Sequence, residues 1–232
     1  MQIKKMGFEV LHCIVDCLWS LGSQFLYSKR PWRETGILTE VDTYDWITFL
    51  PMSDGTGAYN RYFGRLNNGK MKIRGVMARK GDTPEYVNKM QQEVFEVLAE
   101  AKSLVDLKRI EPKAREVYRR YLGELDYADV KELAIRRRVS RLNYFRRCAE
   151  ASAVQAHMKQ GIPLAPGMEI GYVVKDAKKW EVDPERNASE FDAVYYRGLL
   201  EKAWAEVEFV FRINQKDSAI FQGSLLLPPH AL

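Results

Sequence analysis

Gly81-Asp82-Thr83-Pro84 divides the sequence into two unlike parts. Glycine and proline punctuate the backbone here, Asp82 or Thr83 can cap a helix that starts just beyond, and Pro84 fits a first helical turn, where its missing N–H costs nothing. Downstream, Val87, Met90, Val94, Val97, Leu98 and Ala101 recur at three- and four-residue steps, the pattern of an amphipathic helix with one buried stripe. Upstream, the apolar residues fall into short β-rich runs. Tyr44-Asp45-Trp46-Ile47-Thr48-Phe49-Leu50 reads as a strand closed by Pro51. Tyr59 to Leu66 and Lys70 to Val76 flank Asn67-Asn68-Gly69, residues that tolerate positive φ and so predict a hairpin. Phe8 to Trp19, bounded by Gly7 and Gly22, suits a strand or tight hairpin with Asp16 near its turn.

Further along, a second helix is expected from Pro112 to about Leu122. Leu133, Ile135 and Val139 suggest a short strand. Ala149 to Gln160 reads as a helix stopped by Gly161, and Met168 to Val174 alternates as a strand after the turn at Pro166-Gly167. A last helix runs from about Asp192 to Phe211, and the tail from Gln215 is turn-rich. The expected class is α+β, an antiparallel sheet followed by a mainly helical domain with a short sheet. The expected domains are 1–81, 82–213 and a flexible tail, 214–232.

Composition narrows the function classes. The 232 residues are 46% hydrophobic and 29% charged, with a net charge of +5, which describes a folded globular chain rather than a disordered one. Cys13, Cys17 and Cys148 are odd in number and lack a C-x-x-C pair, which argues against a disulfide frame and points to a cytoplasmic location. The N-terminal apolar run is broken by Glu9, His12 and Asp16, so neither a signal peptide nor a membrane span is expected.

Three sets of residues carry candidate chemistry. Asp16 is one carboxylate inside Val10-Leu11-His12-Cys13-Ile14-Val15-Asp16-Cys17-Leu18-Trp19; it must be hydrogen-bonded, solvated or bound to a cation, because an unpaired buried charge costs several kcal/mol, on the order of a domain's margin of stability. Between Leu133 and Ala149 stand Arg136, Arg137, Arg138, Arg141, Arg146 and Arg147 with no acidic residue among them, interleaved with Ser140, Asn143 and Tyr144. Guanidinium forks beside hydroxyl and amide donors grip phosphate oxygens; the other reading is an exposed basic surface. The predicted hairpin adds Tyr59, Asn60, Arg61, Tyr62, Arg65, Lys72 and Arg74. It reads either as a face for a nucleic-acid groove or as a half-buried hairpin with core tyrosines and arginines at the rim.

Several strings resemble archaeal family B DNA polymerases. Leu164-Ala165-Pro166-Gly167-Met168-Glu169-Ile170-Gly171-Tyr172-Val173-Val174 is similar to their thumb segment, a K-P-G-M-x-I-G-Y-x-V run. Leu133-Ala134-Ile135 with Val139-Ser140-Arg141 resembles L-A-I…I-T-R, and Phe191-Asp192-Ala193-Val194-Tyr195-Tyr196 resembles Y-D-A-x-Y-Y, in the same order and spacing over about Val130 to Phe211. The resemblance also sets Tyr59-Asn60-Arg61-Tyr62 on the K-K-R-Y motif that contacts primer–template duplex, with Arg61 and Tyr62 retained. It sets Val10 to Asp16 on the V-L-Y-x-D-T-D palm hairpin. Asp16 then falls on the metal-binding aspartate, while Ile14 and Val15 replace the first aspartate and the threonine.

This resemblance implies that residues 1–81 end a palm and residues 82–213 form a thumb. With Met1 just ahead of the palm hairpin, it implies the small subunit of a split DNA-directed DNA polymerase, of the kind some methanogens have. Such a subunit is active only with a larger subunit that carries the exonuclease, fingers and remaining palm. Two Mg²⁺ ions would be shared between Asp16 and that subunit at the primer terminus, with a deoxynucleoside triphosphate as substrate. Arg61, Tyr62, Arg74 and the arginine-rich thumb would hold the duplex. Gln222-Gly223-Ser224-Leu225 opens like a sliding-clamp peptide, but Pro228-Pro229 stand where such peptides carry an aromatic pair. The rival reading is a non-catalytic nucleic-acid-binding protein derived from a polymerase thumb, which Ile14 and Val15 favour.

Overall fold

The computed structural model describes residues 9–14, 17–21, 42–52, 58 and 60–212. Asp16, Val15, Tyr59 and the 214–232 tail, with its sliding-clamp resemblance, lie outside the described residues. The strands are β1 (Glu9–Ile14), β2 (Cys17–Leu21), β3 (Tyr44–Phe49), β4 (Tyr62–Leu66), β5 (Met71–Arg74), β6 (Ile135–Arg138), β7 (Glu169–Asp176) and β8 (Glu181–Pro184). The long helices are α1 (Glu85–Leu98), α2 (Leu104–Glu124), α3 (Ala149–Lys159) and α4 (Ala193–Arg212). The strands form a β1-β2 hairpin and two antiparallel three-stranded sheets, β3-β4-β5 and β6-β7-β8, so the α+β class expected from the sequence holds.

The chain forms two compact units. One takes the chain up to Arg74, Leu98–Ile110 and the chain from Phe209; the other takes Gly75–Val97 and Glu111–Glu208. In the first, β1 and β2 pair antiparallel with Ile14 opposite Cys17. The β4-β5 turn is the expected one: Gly69 takes φ +87°, a region where only glycine avoids a Cβ clash, and Leu66 N donates to Lys70 O at 2.8 Å. Gly64 lies opposite Ile47 on β3, and a Cβ there would meet Trp46 O at 2.6 Å and Ile47 Cα at 2.9 Å, so the close packing of β3 on β4 requires a glycine. Trp46, Ile47 and Phe63 form the centre of this core. The Trp46 indole donates to Ala101 O at 2.8 Å. Arg65 is 9% exposed, donates Nε to Ala99 O at 2.7 Å and pairs with Asp45.

In the second unit the α1 stripe is buried as the periodicity demands, with Val87, Met90 and Val94 fully covered. Gln91 is buried among them and satisfied at both ends of its amide. Its Oε1 accepts from Ala78 N at 2.6 Å, and its Nε2 donates to Ala203 O at 2.8 Å and Glu206 Oε2 at 3.0 Å. The expected cap of α1 is otherwise engaged: Thr83 Oγ1 donates to Met77 O at 2.7 Å, and Asp82 accepts from Arg137. The second helix is longer than expected, beginning at Leu104 and carrying Pro112 inside it. Ser103 and Asp106 start it as a capping pair, with Ser103 Oγ donating to Asp106 Oδ2 at 2.8 Å and accepting from Asp106 N at 3.2 Å. Pro112 removes one N–H donor from the helix interior and leaves the rest of the ladder intact.

β7 is central in its sheet, flanked by β6 and β8, and α3 packs on β7 and β8. Asp192 caps α4, accepting from Tyr195 N at 3.0 Å and Ala177 N at 2.9 Å. Tyr196 is fully buried, and its hydroxyl accepts from Val174 N at 3.0 Å, which fastens α4 to β7. Among the described residues no helix is long and apolar enough to cross a membrane.

Candidate nucleic-acid interface

The arginine cluster is built on β6 and the segment that follows it. Side chains alternate along a strand, yet Arg136, Arg137 and Arg138 are all exposed while Ile135 and Val139 at the two ends are buried. Among the described residues this edge strand pairs only with β7, Ile135 opposite Tyr172 and Arg138 opposite Glu169. Val139 fixes the next segment by exchanging backbone bonds with the Pro166-Gly167 turn: Val139 N donates to Met168 O and Gly167 N to Val139 O, both at 2.8 Å.

The fold corrects one expectation directly. The run has no acid in sequence, but carboxylates from elsewhere in the chain meet two of its guanidinium groups. Arg136 pairs with Glu185 at 2.7 Å. Arg137 donates to Asp82 at 2.6 Å and lies 3.9 Å from Glu150. The hydrogen bond that Arg137 donates to Asp82 is the main cause that raises its pKa, and the bond to Glu185 does the same for Arg136. Arg138, Arg146 and Arg147 are exposed and make no ion pair among the described residues, and Arg141 stacks over the Tyr144 ring, 5.9 Å from its centroid. The positive field is therefore concentrated on the segment after β6.

Ser140 and Tyr144 face inward to Glu150. The Tyr144 hydroxyl donates to Glu150 Oε1 at 2.6 Å and Ser140 Oγ at 3.1 Å. Partial burial pushes the Glu150 carboxyl up, but those two hydrogen bonds and the nearby Arg137 charge outweigh it, and the net shift is downward. Arg137, Asp82, Glu150, Tyr172, Trp180 and Tyr195 line a cavity of about 330 Å³. Burial raises the Tyr172 phenol to about 12, so it stays a neutral donor at any ordinary pH.

The hairpin residues belong to the other unit. Asn60 and Arg74 are exposed. Arg61 is half-buried and donates Nη1 to Pro51 O at 2.9 Å. Tyr62, expected to contact nucleic acid, is 6% exposed with its ring 5.5 Å from Phe49, so it is a core residue of this unit. Among the described residues no three His, Cys, Asp or Glu side chains gather to hold a metal ion, so a Mg²⁺ pair would need carboxylates beyond them. Sequence reasoning missed Glu150, Asp82 and Glu185 as partners of the cluster; none of them stands inside the basic run.

This arrangement matches the palm-and-thumb fold of the C-terminal region of a DNA polymerase. The solved family B DNA polymerase from the hyperthermophilic archaeon Pyrobaculum calidifontis matches with a TM-score of 0.59 and 21% identity, over 92% of this chain and 28% of that one. By sequence the chain is homologous to DNA polymerase 1 of Saccharolobus solfataricus, 27% identical over 94% of this chain and 25% of the relative. DNA polymerase 2 of the same organism is 27% identical over 51% of this chain and 18% of its own length. DNA polymerase 1 of Sulfolobus acidocaldarius is 31% identical over 50% of this chain and 14% of its own. The chain spans a quarter or less of the length of these relatives. No protein-family model matches it.

Proposed function

We propose that this chain is the small subunit of a split DNA-directed DNA polymerase, in which residues 1–81 end the palm and 82–213 form the thumb. The observation that supports the polymerase part of this reading is the similarity to DNA polymerase 1 of Saccharolobus solfataricus along 94% of the chain. The remaining polymerase functions are assigned to a larger subunit.

Asp16 would supply one carboxylate to hold Mg²⁺ together with carboxylates of the larger subunit, and the metal would supply charge stabilisation for nucleotidyl transfer from a deoxynucleoside triphosphate. Arg138, Arg141, Arg146 and Arg147 hold duplex by its phosphates, which gives grip without sequence preference. Arg136 and Arg137 contribute less because Glu185 and Asp82 already neutralise them. Arg61 steadies the β4 hairpin through Pro51, and Asn60 and Arg74 are its exposed contacts.

Primer extension tests the proposal. The chain and its larger partner should each be inactive alone and active together; extension by either alone contradicts it.

A further inference from the structure

Phe145 is 99% exposed, although phenylalanine is among the side chains that gain most from burial, about 1.5–3 kcal/mol. It does not sit on a frayed end. Tyr144 beside it is tied to Glu150 at 2.6 Å, and three residues further on Cys148 caps α3, its sulfur accepting from Ala151 N at 3.5 Å. The ring is thus presented by an anchored segment. Around it in sequence stand Arg138, Arg146 and Arg147, exposed and without ion pairs among the described residues.

This combination selects the partner by its chemistry. An apolar protein groove that took the ring would also desolvate the adjacent guanidinium groups, at several kcal/mol each if unpaired. A polyanion with free aromatic faces satisfies both: phosphates meet the arginines and a base stacks on the ring. In a duplex the base faces are already covered, and a wedging ring must unstack a step at a cost of a few kcal/mol. An unpaired strand offers its bases without that cost. We propose that Phe145, with Arg138, Arg146 and Arg147, forms a contact for single-stranded nucleic acid, one base stacked on the ring and neighbouring phosphates on the arginines. The contact rests on the nucleic-acid-binding reading above and adds a strand-selective element to the duplex grip.

The test uses the full chain and fluorescence anisotropy with a labelled oligothymidylate and a blunt duplex of equal length at low salt. Phe145→Ala should weaken single-strand binding about 5- to 150-fold, the range expected for losing one base stack, and leave duplex binding within about twofold. Phe145→Trp should restore single-strand binding. An unaltered single-strand affinity in Phe145→Ala, or an equal loss on both DNAs, overturns the inference. Duplex binding with a silent Phe145→Ala leaves the thumb reading standing; failure of the wild-type chain to bind either DNA removes the thumb reading as well.

Discussion

Arg137 and Asp82 stand 55 residues apart in sequence and meet at 2.6 Å, Nη2 to Oδ2. The bond ties β6 to the segment that leads into α1, and it places a negative charge beside a guanidinium that the sequence alone presents as free to take phosphate. An exposed pair of this kind contributes only about 0–1 kcal/mol to folding, so under the proposed duplex-holding role its larger effect is on phosphate contact.

Asp82→Asn should therefore leave the melting temperature nearly unchanged and strengthen duplex binding a few-fold at low salt. The slope of log K against log salt should steepen by about 0.9 as Arg137 becomes available to a phosphate. Anisotropy across a salt series checks it; an unchanged slope means that Arg137 does not face the DNA.

Removing Arg146 and Arg147 together by substitution with alanine should flatten that slope by about 1.8, since each makes no ion pair among the described residues. Arg136→Ala should flatten it by less than about half as much per residue, because Glu185 already pairs with it. Equal effects per residue would contradict the distinction between paired and unpaired arginines.

Much of this fold is legible in the sequence, for reasons that differ by element. The β4-β5 hairpin follows from Asn67-Asn68-Gly69, where local backbone preference decides the turn, and α1 follows from a stripe whose period leaves one face to bury. The beginning of α2 is masked by Pro112, which reads as a helix start, although Ser103 and Asp106 carry the capping signal eight residues or so earlier. β8 is too short to stand out, with two buried residues, Val182 and Pro184, separated by Asp183. The basic cluster is legible as a cluster, but its partial neutralisation is not: Asp82, Glu150 and Glu185 arrive through tertiary pairing, which no local pattern encodes. Tyr62 shows the same limit, since alternation does not reveal that β4 is covered on both faces, with Tyr62, Phe63, Gly64 and Arg65 all buried.

Gly64→Ala should destabilise the chain by about 2 kcal/mol, because the new Cβ would press on Trp46 O and Ile47 Cα, both backbone atoms. Urea unfolding followed by tryptophan fluorescence reads the loss. Wild-type stability would show that β3 and β4 separate without penalty.

Alkaline stability follows from the buried phenols. Burial raises Tyr86 and Tyr172 to about 12 from an ordinary 10, and raises Tyr196 as well. Below pH 10 the folded and unfolded chains both keep these protons and stability is full. Above it the unfolded chain ionises first, so stability falls as pH rises through the folded values near 12. The phenolate absorbance lost on replacing Tyr86 or Tyr172 by phenylalanine should appear together with the circular-dichroism change in that window; its appearance near 10 without unfolding would contradict the burial.

The central claim is that this chain completes a polymerase site through Asp16. The most direct measurement is Mg²⁺-dependent primer extension by the assembly of this chain with the larger polypeptide that co-purifies with it from its source cells, compared with the same assembly carrying Asp16→Ala. The account predicts that the variant still recruits its partner and still binds duplex, while extension is lost. Full extension by the Asp16→Ala assembly, or purification of the chain without any larger companion, contradicts it.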